Sequence, residues 1–185
     1  MPRARNALDD LQLTHNILKR LDIPHALIGG WAAAAWGAVR ATKDLDLLVL
    51  VGSEGRQPLR KAFERLGYRG EWRNGDIDDS VPEILRMVPR KEGARPAIDF
   101  LRASKGFDVD ALGRAIPVRL GQITLPVVCR EDLIAMKLAA GGGLDFQDTQ
   151  ALLSIHANDL DQELLEDSCR RLKAGPALKR IQKKI

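Results

Sequence analysis

Residues 44–51, DLDLLVLV, restrict the fold of this chain more than any other segment. The segment starts by alternating acidic and apolar residues and ends as a continuous run of Leu and Val. Such a run is typical of a strand that is buried on both faces of a sheet. We therefore predict that residues 44–51 form a central strand and that two carboxylates lie at its start.

The rest of the chain divides into an α/β half followed by a helical half. Strands are predicted at residues 25–28, 68–73, 83–88, 97–101, 116–120 and 123–128, and helices at 7–21, 31–39, 57–66, 130–140, 146–156, 162–172 and 177–184. The dipeptide Gly121-Gln122 predicts a hairpin between the last two strands. We therefore expect an α/β (α+β) protein in which residues 1–128 form the core with an N-terminal helix and residues 129–185 form a C-terminal helical part.

The composition is that of an ordinary soluble globular protein, because 45% of the 185 residues are apolar and 29% are charged. This excludes the disordered and fibrous classes of protein. The longest uncharged run, residues 26–39, is too short to cross a bilayer. The two cysteines lack metal-type spacing, and the first residues lack the apolar block of a secretory signal. We expect a cytoplasmic protein with no membrane span, disulfide or zinc site.

Basic residues cluster towards the end of the chain. Residues 170–185 contain seven Lys and Arg and no acid, whereas the whole chain has a net charge of +4. Such a tail attracts nucleic acid or an acidic partner. It is equally consistent with a solvated helix end whose cations interact favourably with the helix dipole. The pattern leaves both interpretations open.

Three aspartates are the candidate catalytic and metal-binding residues. Asp44 and Asp46 are two apart on the predicted strand, so their side chains project to the same face. Asp99 lies in an otherwise apolar predicted strand, where an ionised carboxylate is costly unless it is paired or bound to a metal. If the two strands are neighbours, the carboxylates converge on a site for two Mg²⁺ ions, which would activate a hydroxyl and stabilise a leaving phosphate. The alternative is an ion pair between Asp99 and an arginine such as Arg86 or Arg102.

A glycine pair precedes these acids. In the segment HALIGGWAAAAWG, a predicted strand runs into Gly29-Gly30, which open an Ala-rich helix. Free backbone N–H groups at the start of a helix bind phosphate. The segment is neither a Walker A loop nor a dinucleotide-binding glycine fingerprint. The pair indicates a phosphate site when it is taken with the acids, although tight turns also require glycine.

Together these residues resemble the nucleotidyltransferase superfamily. Its pattern is an apolar residue followed by Gly-Gly or Gly-Ser, a gap of about a dozen residues, and then two acids separated by an apolar residue. Here the pattern reads IGG at 28–30, thirteen residues, and DLD at 44–46, and Asp99 stands where the family has its third carboxylate. The resemblance implies the nucleotidyltransferase fold, a mixed β-sheet flanked by helices, with Mg²⁺ as cofactor and an NTP as substrate. It implies the transfer of a nucleoside monophosphate (NMP) to an acceptor hydroxyl.

A closer resemblance is to the bacterial abortive-infection type nucleotidyltransferases and related toxin-like proteins. It rests on RATKD at 40–44, on the predicted helix REDLIAMKLAA at 130–140, and on the pair Asp145 and Asp148. The resemblance implies a nucleotide-binding set of six residues, namely Gly29, Gly30, Arg40, Thr42, Lys137 and Asp148. If the protein belongs to a toxin pair, it also implies a separate antitoxin partner.

The surroundings of Lys137 agree with such a role. Its helical neighbours Leu133, Ile134 and Ala140 are apolar, and a lysine within an apolar stripe needs an anionic partner. A nucleotide phosphate or Asp148 would serve as that partner. Alternatively, the lysine extends to the edge of the stripe and reaches solvent. Asp148 is equally consistent with a simple charge near a helix N-terminus.

The chain departs from the family at two places. Gly30 stands where many relatives have a serine whose hydroxyl touches a phosphate, and GGGL at 141–144 stands where many have Arg or Lys. A catalytically degenerate nucleotide-binding or regulatory protein is therefore the alternative function, and a plain structural α/β domain is a third. The acceptor is open among RNA such as tRNA, a protein hydroxyl and a small molecule such as an aminoglycoside. The basic tail favours RNA.

Overall fold

A seven-stranded mixed β-sheet is the centre of this computed structural model, which describes residues 6–74, 83–91, 93, 95–103 and 106–183. The strands are β1 (His25–Leu27), β2 (Leu45–Val49), β3 (Tyr68–Asn74), β4 (Glu83–Pro89), β5 (Ile98–Arg102), β6 (Ile116–Leu120) and β7 (Ile123–Val127). The helices are α1 (Ala7–Arg20), α2 (Gly29–Ala35), α3 (Ser53–Glu64), α4 (Phe107–Gly113), α5 (Arg130–Ala140), α6 (Gly143–Ile155), α7 (Gln162–Arg171) and α8 (Gly175–Gln182). The strand order is β3-β4-β5-β2-β1-β7-β6. This is the predicted α/β architecture.

β2 is the middle strand of the sheet, as its sequence predicts. It pairs in parallel with β5 and antiparallel with β1. Leu45, Leu47 and Val49 point to one face and Leu48 points to the other, and all four are buried. Both faces of β2 are therefore covered, which requires an apolar side chain at almost every position. Asp46 is the one charged residue within β2, so its position calls for a functional explanation.

Antiparallel pairs form both ends of the sheet. β3 pairs with β4 at one edge, and β6 pairs with β7 at the other. The predicted hairpin is confirmed, because Leu120 pairs with Ile123 across Gly121. Gly121 has a φ of +60°, a conformation that glycine adopts without steric cost.

Several helices differ from the sequence prediction, among them α6, which begins at Gly143 instead of residue 146, and α8, which begins at Gly175 instead of residue 177. α2 begins at Gly29 instead of residue 31, and α3 begins at Ser53 instead of residue 57, which places Pro58 inside the helix. α4 has no counterpart in the prediction. Its sequence FDVD has the two-residue period of a strand, whereas its buried residues, Phe107 and Ala111, are four apart, as on one face of a helix.

A buried carboxylate on α5 connects the C-terminal helices to the rest of the fold. Asp132 is fully buried and accepts hydrogen bonds from Arg114 Nε at 3.0 Å, Arg114 Nη2 at 3.1 Å and Ser168 Oγ at 2.7 Å. Cys129 Sγ also donates to it at 3.2 Å. A buried charge is tolerated when it is paired and hydrogen-bonded in this way. Asp132 therefore links the end of α4, α5 and α7.

Both cysteines, Cys129 and Cys169, are free and buried. Burial raises the pKa of the Cys129 thiol to about 12 and that of the Cys169 thiol to about 11. Such thiols stay protonated at neutral pH and behave as small apolar side chains. Within the described ranges, no helix has both the length and the apolar character needed to cross a membrane.

Candidate functional site

The predicted catalytic aspartates lie on two neighbouring strands. β2 and β5 run in parallel, and Asp46 is directly opposite Asp99 in their register. The two carboxylates therefore project from the same face of the sheet, and Asp44 precedes Asp46 by two residues on that face. The pairing brings three carboxylates to the amino ends of two parallel strands.

Asp46 has the most perturbed carboxyl of the three. The pKa of this carboxyl is raised to about 6. Burial is the largest cause, and the neighbouring charges of Asp99 and Asp44 contribute to the same shift. Lys137 and the N–H group of Gly30 oppose this shift, since both stabilise the ionised form. Perturbed carboxyl groups that lie in a cleft are characteristic of functional sites.

An arginine lies among these acids. Arg86 Nη1 donates to Asp99 Oδ2 at 2.5 Å, and Arg86 Nη2 donates to Asp44 Oδ2 at 3.2 Å. The ion pair that the sequence leaves open as an alternative for Asp99 is therefore present with Arg86, whereas Arg102 pairs with Glu83. Burial still raises the pKa of Asp99, although Arg86 opposes that shift.

The fit of a metal ion follows from the remaining oxygens. Asp99 Oδ1 is buried and has no hydrogen-bond partner, and the Asp46 carboxylate is adjacent to it in the register. Carboxylate oxygens from these two residues suit Mg²⁺. Among the described residues, no three His, Cys, Asp or Glu side chains are already arranged to bind a metal. Asp46 and Asp99 therefore fit the ion, while Asp44 is engaged by Arg86.

The glycine pair packs directly against Asp46. Gly29 has a φ of +66°, and a Cβ added there would overlap the Asp46 carboxylate. The N–H of Gly30, at the start of α2, hydrogen-bonds to the same carboxylate. Position 29 therefore requires glycine for both its conformation and its contacts.

Thr42 explains why position 30 is also glycine. A Cβ added at Gly30 would lie 2.7 Å from Thr42 Oγ1 and 3.0 Å from Thr42 Cβ, closer than real contacts allow. The threonine hydroxyl thus lies beside the space that a serine at position 30 would occupy. Position 30 therefore lacks the serine noted in the sequence analysis, but the hydroxyl of Thr42, from another segment, lies adjacent to the start of α2.

Lys137 is buried in an ion-pair network. Its side chain is 4% exposed, and Nζ donates to Asp148 Oδ2 at 2.6 Å and to Asp145 Oδ1 at 3.2 Å. Arg40 also binds Asp148 with two hydrogen bonds of 2.8 and 3.0 Å. Burial favours a higher pKa for Asp148, but the hydrogen bonds from Arg40 and Lys137 outweigh it and hold the pKa below its usual value. Lys137 therefore does not extend to solvent, and Asp148 is more than a surface charge near a helix end.

A cavity of about 210 Å³ lies beside the acids, between the sheet and α5. Gly29, Asp46 and Lys137 line it together with apolar side chains. The apolar residues are Ile28, Leu48, Leu101, Phe107, Leu133, Met136, Ala139, Ala140 and Leu172. Asp108 also lines it, and burial raises the pKa of this carboxyl to about 6. Asp108 was not predicted as a site residue because α4 itself was not predicted. Its first residues alternate between apolar and acidic, as in a strand.

Comparisons with known proteins identify the fold. No family model and no curated protein matches the sequence. Several solved structures do resemble it. The antibiotic-resistance factor ANT(2'')-Ia in solution is 17% identical, with 97% of this chain and 99% of that chain covered and a TM-score of 0.60. The lincosamide antibiotic adenylyltransferase LnuA, lincomycin-bound, is 14% identical, with 79% and 96% covered and a TM-score of 0.55.

An antigenic nucleotidyltransferase-like protein from Paracoccidioides brasiliensis is 17% identical, with 99% of this chain and 95% of that chain covered and a TM-score of 0.53. At these identities the likeness concerns the fold. The closer resemblance to the abortive-infection group stays a prediction from the motifs. The likeness extends over most of this chain and nearly all of each of those chains, and the chain has the nucleotidyltransferase fold.

Proposed function

We propose that the protein transfers an NMP from an NTP to an acceptor hydroxyl in a Mg²⁺-dependent reaction. The observation that carries this proposal is the register pairing of Asp46 with Asp99 beside the Gly29-Gly30 turn. It places candidate metal ligands beside backbone N–H groups that can donate hydrogen bonds to a phosphate. The nucleotidyltransferase fold supports the same activity.

The roles of the residues follow from their positions. Asp46 and Asp99 would hold Mg²⁺, with Asp44 paired to Arg86 beside them, and the ion would neutralise phosphate charge and lower the barrier to displacement at phosphorus. The N–H groups of Gly29 and Gly30 lie at a helix start, where they can donate to phosphate oxygens. Asp99 Oδ1, buried and without a hydrogen-bond partner, would bind the ion beside the attacking hydroxyl and so help to remove the proton of that hydroxyl.

Cations surround the proposed phosphate position. Arg40 Nη2 lies 3.1 Å, and Thr42 Oγ1 2.7 Å, from the position that a Cβ on Gly30 would take. Lys137 lines the same cavity as Gly29. Phosphate transfer requires little covalent chemistry from the protein, so binding geometry and charge neutralisation supply most of the rate enhancement. The network around Asp148 fixes the positions of both cations in advance.

Two observations bear on the acceptor, and they favour different classes of molecule. The apolar cavity beside Asp46 suits part of a small molecule, and LnuA acts on such a molecule, a lincosamide antibiotic. The basic residues of α7 and α8 suit RNA instead. A protein hydroxyl, a toxin role, an antitoxin partner and a cytoplasmic location remain predictions from the sequence.

A catalytically degenerate nucleotide-binding or regulatory protein is the second candidate. It is favoured by the two engaged cations, because Arg86 already binds two of the acids and Lys137 already binds Asp148. Such a protein would bind a nucleotide and release no labelled product.

Two experiments separate these functions. Calorimetry with each of the four NTPs and Mg²⁺ measures binding, and Asp46→Ala should abolish the metal dependence of that binding. Incubation with α-³²P-labelled NTPs and total RNA, cell lysate or a panel of aminoglycosides and lincosamides then identifies the labelled acceptor. Binding without any labelled product favours the regulatory protein, and absence of both binding and labelling contradicts both proposals.

A further inference from the structure

Arg86 reaches into the carboxylate cluster from β4, the strand next to β5. Its Cα is directly opposite that of Asp99 in the antiparallel register, so both side chains stand on the same face of the sheet. Its two terminal nitrogens bind Asp99 Oδ2 at 2.5 Å and Asp44 Oδ2 at 3.2 Å. One guanidinium therefore joins carboxylates from two strands, as a bridging metal ion does.

The charge of the cluster suits a single divalent cation. Asp44, Asp46 and Asp99 contribute three negative charges when ionised, and Arg86 contributes one positive charge, which leaves two negative charges. One divalent cation neutralises this remainder. A second divalent ion would be repelled by the guanidinium at short distance in a partly buried site.

Arg86 binds one oxygen each of Asp44 and Asp99 and none of Asp46, and the Asp44 side chain is 40% exposed whereas that of Asp99 is 15% exposed. Asp99 Oδ1 is buried without a hydrogen-bond partner, and Asp46 lies beside Asp99 in the parallel register. Asp44 Oδ2 and Asp99 Oδ2 are both bound to the arginine. An ion therefore finds free carboxylate oxygens at Asp46 and Asp99, while the position between Asp44 and Asp99 is occupied by a fixed cation.

We propose that Arg86 takes the place of one of the two cations that the sequence motif implies, so that the cluster binds one divalent ion through Asp46 and Asp99. This inference rests on the proposed function, because it takes the carboxylates as the metal site. Arg86 is a charge-compensating residue that keeps Asp44 and Asp99 together before the metal arrives.

Mn²⁺ binding to the full-length protein without nucleotide tests the inference. Free Mn²⁺ is measured by electron paramagnetic resonance during a titration, which gives the number of ions bound per chain. The wild type should bind one ion, and Arg86→Gln should bind two, because Asp44 and one oxygen of Asp99 are released. Arg86→Lys should bind one, since it keeps the positive charge. Arg73→Gln, which removes an exposed arginine from the adjacent strand β3, is the control for net charge and should also bind one ion.

Each outcome decides between the alternatives. Two ions in the wild type, or a single ion of unchanged affinity in Arg86→Gln, overturns the inference and leaves the proposed function standing. No binding by either protein overturns both the inference and the metal dependence of the proposed reaction. The spectrum of the bound ion in the wild type is a second readout that does not depend on folding of a variant. Two adjacent Mn²⁺ ions couple to each other and a single ion does not, so a coupled spectrum also overturns the inference.

Discussion

Asp46→Asn should make the metal-free protein more stable at neutral pH. Folding raises the pKa of this carboxyl from 3.8 to about 6, so the folded protein is penalised whenever Asp46 is ionised. The difference between the two pKa values corresponds to about 2–3 kcal/mol of unfolding free energy. Asparagine has no charge to bury and can still accept the hydrogen bond from Gly30.

The pH dependence of the difference has a defined direction. Between about pH 4 and pH 6 the folded chain retains a proton on Asp46 that the unfolded chain has lost, so raising the pH through this window lowers the stability of the wild type. The penalty is complete above the folded pKa of about 6 and disappears below about pH 4, near the unfolded value. The stabilisation by Asn should therefore be full at pH 7.5 and small at pH 4.

Urea unfolding followed by circular dichroism at both pH values, with EDTA present, measures this difference. At pH 7.5 the gain should also raise the melting temperature by roughly 5–10 °C for a chain of this size. Asp159→Asn is the control, because it removes the same charge from a side chain that is 69% exposed. Equal stability of Asp46→Asn and the wild type at pH 7.5, or an equal gain at both pH values, would refute the reasoning.

Two further substitutions and one thiol reagent test other parts of the site and the core. Asp148→Ala should lower the unfolding free energy by about 3–5 kcal/mol in urea titrations, because it leaves the buried Lys137 ammonium without its shortest ion pair; a loss below about 1 kcal/mol would contradict this. Gly29→Ala should cost about 1–3 kcal/mol in thermal unfolding and should weaken NTP binding in calorimetry, since its φ is positive and its Cβ overlaps Asp46. Wild-type stability together with wild-type binding would speak against it. Cys129 should react with a thiol reagent at pH 8 only after unfolding, because its buried thiol has a pKa of about 12; rapid labelling of the native protein would contradict this.

Local patterns were enough to predict the central strand and the positions of the acids. The apolar run that starts at Leu47 reflects burial on both faces of the sheet, a property that determines the residue type at almost every position of the strand. The apolar neighbours of Lys137 on the same helix indicated either a buried lysine with an anionic partner or one that extends to solvent, and the structure shows the first. Gly29 was identifiable as part of a turn, whereas its contact with Asp46 depends on the antiparallel pairing of β1 with β2, which the sequence did not predict.

Contacts that depend on tertiary register were not predictable in the same way. Arg86 lies on a strand with ordinary alternation of apolar and polar residues, and nothing in that pattern specifies that Arg86 lies opposite Asp99. The sequence could only name it as one of two possible partners. α4 was missed because its acids alternate with apolar residues, although the helix buries Phe107 and Ala111 against the sheet. In both cases the deciding information is the position of a distant segment.

The close approach of Gly30 and Thr42 makes these two positions interdependent in evolution. A side chain at position 30 requires the side chain at position 42 to shift or to become smaller, since the Cβ of the first would meet the hydroxyl of the second at 2.7 Å. Homologous chains with serine at the first position should therefore have a shifted or smaller side chain at the second, so that the two sites constrain each other.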